Sequence, residues 1–465
     1  MRKRHTQYKH LLNFGANLAA LFFEGASFAY VWYQCYVAEI GQMFFRRGNW
    51  AVVGLYTLVI FLLTRTLNGY KISYLPLTDI WISNILAIIF SAVVSYIEVN
   101  LVTRLGVFLS PVPILCMTGV QIVFILPWIF FVRKLYSAIY PPRQMMVIYG
   151  TRSPEELIQK INTRKDKYDI CASVCLFDEQ KNIYREILKY EAVVLCHIPD
   201  TERNRILKFC FEHDIRTYTL PKVSDILLNA SEDIHLFDTP LYLSRNQGLN
   251  IIQRFFKRIF DILISLILMI ILSPFMLITA LIIKLYDRGP VFYKQERLTL
   301  NKKTFRILKF RSMRMDSEKN GAQLARKQDD RITPYGRFIR RIHFDETPQL
   351  FNILKGDMSF VGPRPERQDI HEAYKQEIPE FDFRLKVKAG LTGYAQVYGK
   401  YNTTPYDKLK LDLSYIQNYS FLLDLKIILL TVKVIFQKEN TEGIEEDQVT
   451  ALGNDSSKNE NELRR

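Results

Sequence analysis

Two carboxylates stand side by side in the run His343-Phe344-Asp345-Glu346-Thr347-Pro348-Gln349-Leu350, and a little downstream an arginine is held between prolines in Gly362-Pro363-Arg364-Pro365-Glu366. Prolines on both sides fix the backbone, and a guanidinium so placed is preorganised for bidentate contact with a phosphate. Thr347 is expected to cap a helix that starts at Pro348, runs through Leu354 and stops at Lys355-Gly356. Asp345 and Glu346 then lie just outside a helix N-terminus, where the dipole favours the ionised form and where neighbours can converge on one ligand. The plainer reading is that both acids merely satisfy that helix end. Upstream, Lys309-Phe310-Arg311-Ser312-Met313 and Arg331, Arg337, Arg340 and Arg341 supply positive charge, and the whole stretch suggests phosphate chemistry.

The elements that must position these residues begin with an apolar run from Ile259 to Ile283, interrupted by Asp261 and flanked by Lys257-Arg258 and Lys284. By length it could span a bilayer. Pro274 removes a backbone donor in mid-run, and Ser273 can serve the carbonyl that Pro274 abandons. Each arm is then too short to cross a hydrocarbon layer of ~30 Å. Basic residues at both outer ends suit a hairpin that dips into the membrane and returns, keeping the downstream acids in the cytoplasm with soluble, nucleotide-activated substrates. Val291 to Tyr293 and Thr304 to Phe310 read as a strand pair around Lys302-Lys303. Phe338, Ile339, Ile342 and Phe344, interleaved with arginines, fit an amphipathic helix on anionic headgroups. Phe421 to Phe436 reads as an interfacial helix, and the acid-rich tail 439–465 carries too few large apolar residues to fold.

The chain of 465 residues is 49% hydrophobic with a formal charge of +15, a mixture of membrane and soluble parts. Four apolar segments occupy the N-terminal third, Leu11 to Tyr33, Trp50 to Leu67, Leu77 to Val102 and Val107 to Val132. Basic residues before the first and after the fourth put both ends in the cytoplasm. Glu24, Asp79 and Glu98 are the acids within them, too few and too scattered for a transport path, so an anchor or oligomerisation module is expected. The positive charge fits lipid or phosphorylated small molecules. No zinc-finger spacing, arginine-rich arm or RNA-binding motif is present, so no nucleic acid is expected. Cys35, Cys116, Cys171, Cys175, Cys196 and Cys210 lack metal-site spacing and read as buried, reduced thiols.

After Pro141-Pro142 the pattern changes to short strands alternating with helices: strands at Met145 to Tyr149, Ile170 to Phe177, Ala192 to His197 and Ile215 to Leu220, helices at Pro154 to Asn162 and Thr201 to His213. That alternation implies a parallel, doubly wound, Rossmann-like sheet. Its first turn, Tyr149-Gly150-Thr151-Arg152-Ser153-Pro154, lacks the spaced glycines that let a backbone approach a pyrophosphate, so a structural or regulatory role is expected.

From about Ile251 to Gln437 the chain resembles the bacterial sugar transferases, the monotopic polyprenyl-phosphate hexose-1-phosphate transferases (phosphoglycosyl transferases) that begin capsule, exopolysaccharide and O-antigen assembly. The resemblance rests on Lys257-Arg258-Ile259-Phe260-Asp261, Ser273-Pro274, Lys309-Phe310-Arg311-Ser312-Met313, Asp345-Glu346-Thr347-Pro348-Gln349-Leu350, Lys355-Gly356-Asp357-Met358-Ser359, Gly362-Pro363-Arg364-Pro365 and Gly390-Leu391-Thr392-Gly393. The four-helix bundle and Rossmann-like domain resemble the family's long form. The resemblance implies residues 1–140 as a four-helix transmembrane domain and 141–245 as a Rossmann-like α/β domain without a dinucleotide fingerprint. It implies 251–438 as a monotopic α/β catalytic domain whose re-entrant helix covers 255–285. Asp345 would attack the β-phosphorus of a UDP-sugar and release UMP, and undecaprenyl phosphate would then accept the sugar phosphate. Glu346 would hold Mg²⁺, or Mn²⁺ in its place. Lys309, Arg311, Arg340, Arg364, Lys400 and Asp412 would form the substrate and phosphate site. The implied setting is the cytoplasmic face of a bacterial inner membrane.

Three positions depart from the family's habit: Arg297 to Lys302 lacks the usual glycines, Ala389 replaces a frequent proline, and Lys400 stands where arginine is common. Lysine cannot make arginine's planar fork. Asp412 or Asp424 could orient catalytic basic residues or could be plain surface charges. Two other readings stay open, a membrane-bound nucleotide-sugar dehydratase or epimerase and a non-enzymatic scaffold or sensor. The first would need a glycine-rich fingerprint and a Tyr-x-x-x-Lys that are not found in context. No residue discriminates glucose from galactose, and a homodimer through the bundle and middle domain is compatible with the pattern.

Overall fold

A computed structural model describes residues 8–37, 46–103, 108–178, 182–236, 238–244, 248–314, 331–399 and 403–435. The expectations for Lys400 and for the tail from 439 onward fall outside these residues. The chain divides into two compact units, Met1–Pro221 and Lys222–Arg465.

The first unit opens with four long helices, α1 (Lys9–Val31, continuing as a π-helical turn Trp32–Tyr36), α2 (Arg46–Thr66), α3 (Leu77–Thr103) and α4 (Val112–Ile139). All four are long and apolar enough to cross a membrane. Their shared interior stacks Phe28 on Tyr56 at 4.2 Å between centroids. It also holds a polar relay: Tyr56 Oη donates to Gln121 Oε1 at 3.0 Å, and Gln121 Nε2 donates to Ser27 Oγ at 2.6 Å. In hydrocarbon such groups must find partners inside the bundle.

Four parallel strands follow, β1 (Arg143–Tyr149), β2 (Tyr168–Cys175), β3 (Ala192–Cys196) and β4 (Arg216–Thr219), in spatial order β2-β1-β3-β4. They alternate with α5 (Glu155–Asn162), α6 (Ile183–Ile187) and α7 (Asp200–Glu212). β3 is buried along its whole length, as a central parallel strand covered on both faces must be. The expected parallel α/β sheet is present, and α6 is an addition that its five residues were too few to announce by periodicity. Arg133 of α4 pairs with Asp166 at 2.8 Å and Lys167 lies 3.7 Å from the Tyr74 ring, tying bundle to sheet. None of the six cysteines is in a disulfide, but the expectation of uniform burial fails: Cys196 and Cys210 are buried, whereas Cys116 and Cys171 are exposed.

The second unit begins with α8 (Val223–Asn229), which packs Val223, Ile226 and Leu227 into the core that follows, and an antiparallel hairpin of β5 (Glu232–Leu236) and β6 (Thr239–Leu243). α9 (Ile251–Asp287) then runs 37 residues with Pro274 inside it. A turn between two arms was expected; instead the helix is unbroken, because Ser273 Oγ donates to the Ile270 carbonyl at 2.9 Å, the acceptor that Pro274 leaves unserved. Both arms of α9 pack within the second unit: Ile264, Leu268 and Leu272 against one hydrophobic cluster, Met276 and Ile283 in a second cluster that Leu272 also touches. The opposite face exposes Leu263, Ile267, Ile270, Phe275, Ile278 and Leu281.

The rest of the unit comprises the antiparallel pair β7 (Phe292–Leu298) and β8 (Thr304–Phe310), α10 (Pro334–Arg341), α11 (Gln349–Lys355), β9 (Ser359–Val361), α12 (Gln368–Glu377), β10 (Gly390–Thr392), α13 (Tyr394–Tyr398), α14 (Pro405–Gln417) and α15 (Phe421–Ile435). The amphipathic pattern of α10 is split: Ile339 is buried, Phe338 is exposed, and Phe344 beyond it stacks on Phe310. α15 is half embedded, with Ile427 and Leu430 buried and Phe421 and Leu422 exposed.

Candidate active site

The site is assembled by short backbone locks more than by long elements. A 3₁₀ turn, Phe344–Glu346, carries both acids and runs directly into α11. Because the chain is already helical at Thr347, that residue does not cap; its hydroxyl turns back to donate to the Phe344 carbonyl at 2.8 Å. α11 ends at Gly356, whose φ of 98° is the left-handed C-cap that glycine accepts without strain. Asn352 on α11 accepts from Leu308 N–H at 2.9 Å and donates to the Arg306 carbonyl at 2.8 Å, binding the helix to β8. That bond brings Lys309, the next residue of β8, to the acids.

The arginine loop is locked from two sides. Gly362 N–H donates to Thr392 O and Gly390 N–H to Pro363 O, each at 2.9 Å. The approach is so close that a Cβ on Gly362 would lie 2.4 Å from the Lys388 carbonyl oxygen. On the other side Arg297 donates to Pro365 O at 3.2 Å, and buried Arg384 donates to Arg364 O at 3.0 Å. Asp412 pairs with that same Arg384 at 2.7 Å, so its carboxylate is buried and reaches the loop through Arg384.

These locks bring Lys309 and Arg364 onto Glu346. Lys309 Nζ donates to Glu346 Oε1 at 2.7 Å and Arg364 Nη2 donates to the same oxygen at 2.8 Å, leaving Oε2 with a 3.5 Å contact from Arg364 Nη1. Burial alone would favour the neutral acid, but Arg364 and Lys309 outweigh it and hold Glu346 well below the usual carboxylate range. Asp345 is buried and receives no hydrogen bond among the described residues. Burial, reinforced by the negative charge of Glu346, pushes its carboxyl up, while Lys309, Arg340 and His343 pull the other way. The pull of the helix end on the two acids is thus unequal in outcome: Glu346 is held low by its cationic partners, whereas burial and the charge of Glu346 shift the Asp345 carboxyl up. Arg340 faces this pair from α10, its Nε donating to Ser312 Oγ at 2.8 Å, which gives the serine of Lys309-Phe310-Arg311-Ser312-Met313 a positioning task.

Arg311 is placed elsewhere. It lines a small cleft with Ile282, Ile283, Tyr286, Thr333 and Tyr335 beside the C-terminal arm of α9. Asp424 also orients no residue of this cluster: its carboxylate pairs with Lys257 at 2.6 Å and accepts from Tyr415 Oη at 2.8 Å. Sequence reasoning missed the partners that hold the scaffold. Arg258 donates to the Ile353 and Leu354 carbonyls at the end of α11, at 2.5 and 2.7 Å. Asp261 accepts from Phe360 N–H at 2.9 Å and Ser359 Oγ at 3.1 Å. The signal for both was their polarity at the start of an apolar run, read only as a topology marker. The departures also find local reasons. Asn301 and Lys302 take positive φ where the family has glycines, and Ala389 uses an N–H that proline lacks to donate to Thr299 Oγ1 at 3.1 Å.

The bacterial sugar transferase profile matches residues 252–438, which contain every residue of this cluster. A UDP-N-acetylgalactosamine-undecaprenyl-phosphate N-acetylgalactosaminephosphotransferase of Aeromonas hydrophila is 39% identical over 254 residues, 53% of this chain and 59% of that protein. A UDP-glucose:undecaprenyl-phosphate glucose-1-phosphate transferase of Klebsiella pneumoniae is 38% identical over 224 residues, 47% of this chain and 46% of that protein. The chain thus spans about half the length of these two relatives. A sugar transferase of Bacillus subtilis named EpsL, described as uncharacterized, is 38% identical over 204 residues, 43% of this chain and 98% of that protein. With the family model matched over residues 252–438 and 98% of the Bacillus protein covered at 38% identity, the chain belongs to the bacterial sugar transferase family.

Proposed function

We propose that the protein transfers a hexose 1-phosphate from a UDP-sugar to undecaprenyl phosphate, releasing UMP and forming the lipid-diphosphate-linked sugar that initiates exopolysaccharide, capsule or O-antigen assembly. The observation that carries this reading is the division between adjacent acids: Glu346 is neutralised by Lys309 and Arg364, while Asp345 is buried and without a hydrogen-bond partner among the described residues. A desolvated carboxylate of raised basicity is suited to attack a phosphorus centre. In the first half-reaction a carboxylate oxygen of Asp345 bonds to the β-phosphorus, the bond from that phosphorus to the bridging oxygen breaks, and UMP leaves. In the second, a phosphate oxygen of undecaprenyl phosphate bonds to the same phosphorus and the aspartyl oxygen departs, restoring the carboxylate. Arg364, Lys309 and Arg340 offset the charge that accumulates on the phosphate oxygens.

The donor set fits Mg²⁺, with Mn²⁺ as a substitute. Among the described residues no group of three or more metal-type side chains occurs, so the cation would arrive on the substrate's phosphates and take one protein carboxylate, as Mg²⁺ commonly does. Glu346 Oε2, which makes no short contact, is the oxygen free to hold it. Bound there, the ion would supply charge neutralisation for the diphosphate.

Contacts of α9 within the second unit from Lys257 through Ile283, opposite an exposed apolar face, support a helix that dips into the bilayer without crossing it. On this reading the catalytic unit faces the cytoplasm of a bacterial cell and the four N-terminal helices anchor it. Purified protein with Mg²⁺, undecaprenyl phosphate and a panel of labelled UDP-hexoses is expected to release UMP with at least one sugar, and to release one equivalent per site when the lipid is withheld. Undiminished transfer by Asp345→Ala would overturn the covalent route.

A further inference from the structure

In the first unit, the start of α1, the end of α4 and the connection before α3 meet the N-terminal edge of the parallel sheet, and cations collect there. Arg133 and Arg164 are matched by an acid. Each donates to the Asp166 carboxylate at 2.8 Å, and Arg164 Nη1 also donates to the Tyr74 carbonyl at 2.6 Å. The hydrogen bond from Arg164 is the first cause that holds Asp166 below the usual carboxylate range.

Three neighbouring cations have no such match. Lys9 Nζ lies 4.7 Å from the centre of the Tyr140 ring, and Lys167 Nζ lies 3.7 Å from that of Tyr74 and 5.1 Å from that of Tyr168. Neither ammonium makes a hydrogen bond or an ion pair among the described residues. Arg143 Nη1 donates to Tyr218 Oη at 3.2 Å, and its guanidinium meets no carboxylate among the described residues. All three side chains belong to half-buried residues. Burial, followed by the charges of Arg164 and Arg143, pushes the Lys167 ammonium down to about 8 against the pull of Asp166. Around Lys9 the like charges are Arg143 and the exposed Arg216, and the opposite one is Glu191. Half-burying cations together without carboxylates carries a desolvation cost that an entering anion offsets.

The chemistry and the place of the patch define that anion. A lysine packed on a tyrosine face keeps its three N–H donors for an oxyanion, and two such ammoniums with a guanidinium suit the oxygens of a phosphate. On the proposed membrane placement the patch lies where the apolar spans end, at a level marked by Tyr74, Tyr136 and Tyr140, as tyrosine marks a head-group layer. Leu11 on α1 and Leu135 and Ile139 on α4 are exposed at the same helix ends, apolar surface that a fatty chain covers and a free phosphate does not. We infer that this junction binds the phosphate head group of an anionic phospholipid through Lys9, Arg143 and Lys167. The bound lipid bridges α1 to the first residue of β1 and to the residue before β2, a tie between bundle and sheet additional to the Arg133–Asp166 pair.

The test titrates the full chain in detergent with phosphatidylglycerol, phosphatidylcholine or inorganic phosphate and reads bound molecules by native mass spectrometry, independently of sugar transfer. Phosphatidylglycerol is expected to stay bound under activation that strips phosphatidylcholine. Combining Lys9→Gln, Arg143→Gln and Lys167→Gln should weaken its binding roughly 100-fold, at about fivefold per basic residue. Lys9→Arg with Lys167→Arg should retain it, and Lys134→Gln, at an exposed cation of α4, should leave it unchanged. In the unmodified protein, phosphatidylglycerol with a photoreactive head group should crosslink to peptides holding Lys9, Arg143 or Lys167, which maps the site without relying on the folding of the triple variant. Equal retention of the two lipids, an unweakened triple variant, or crosslinks confined to other segments overturns the inference. Inorganic phosphate that binds through the same three residues as tightly as the lipid also overturns it, in favour of a soluble anion.

Discussion

Lys309 Nζ donates to Glu346 Oε1 at 2.7 Å, so the charge of the second acid is matched inside the protein while that of the first is not. In the proposed covalent route Asp345 acts as a carboxylate, and its carboxyl lies above the ordinary value through burial and the neighbouring Glu346. The acid limb of single-turnover UMP release should therefore fall at a pH above that of a free aspartate. Arg340→Gln removes a charge that lowers the Asp345 value and should move this limb to higher pH; Glu346→Gln should move it lower, together with a large loss of rate.

The same pair affects stability in opposite directions. A raised acid stabilises the fold when protonated, so the Asp345 contribution is present at low pH and lost as pH rises through its elevated value. Glu346, held low by Arg364 and Lys309, contributes above the ordinary glutamate value and loses that contribution as pH falls through its depressed one. Asp345→Asn should thus raise the thermal midpoint at pH 7 while eliminating transfer, and differential scanning fluorimetry across pH checks both signs.

Asp412 is expected to matter without meeting substrate. Asp412→Ala leaves Arg384 buried with a weakened charge balance, a lesion of about 3 kcal/mol or more, and frees the carbonyl lock on Arg364. Denaturant unfolding measures the first effect. The second should appear as a lower kcat with a smaller change in KM, and Asp412→Glu should restore part of it.

Gly356 offers a cleaner stability probe. Its φ of 98° costs an alanine about 1–2 kcal/mol, and the added Cβ would lie in contact with Arg258 Nη2 at 3.4 Å. Gly356→Ala should lower the unfolding midpoint and, because Arg258 holds the end of α11, reduce turnover as well.

Pro274 tests the membrane reading. A cysteine at Ser456→Cys should label only from the cytoplasmic side. Pro274→Leu restores the backbone bond to Ile270 and should make part of the population label from the opposite side.

What the sequence made legible follows from the range of each interaction. The five apolar helices, the parallel sheet and the β7–β8 pair are written in local periodicity, and Asp345, Glu346, Lys309, Arg340 and Arg364 stand in short motifs. Thr347 was misread because a cap depends on whether the preceding residues are already helical, which composition does not specify. Ser312, Asn352, Arg384 and Asp261 act across the fold, on partners 28, 44, 20 and 99 positions away. Periodicity carries no signal at that distance. The β5–β6 hairpin escaped notice because Pro240 demotes a strand pattern unless it lies on an edge, where it does lie.

Arg258 and Asp261 belong to the helix that meets lipid, yet their bonds end on α11 and β9, the pieces that follow Asp345 and precede Arg364. On the proposed placement of α9 in the bilayer, the lipid would thus be a structural component of the candidate site and not merely its location. A change in hydrocarbon thickness or detergent that tilts α9 would then displace α11 and β9, and turnover is expected to depend on the surrounding lipid.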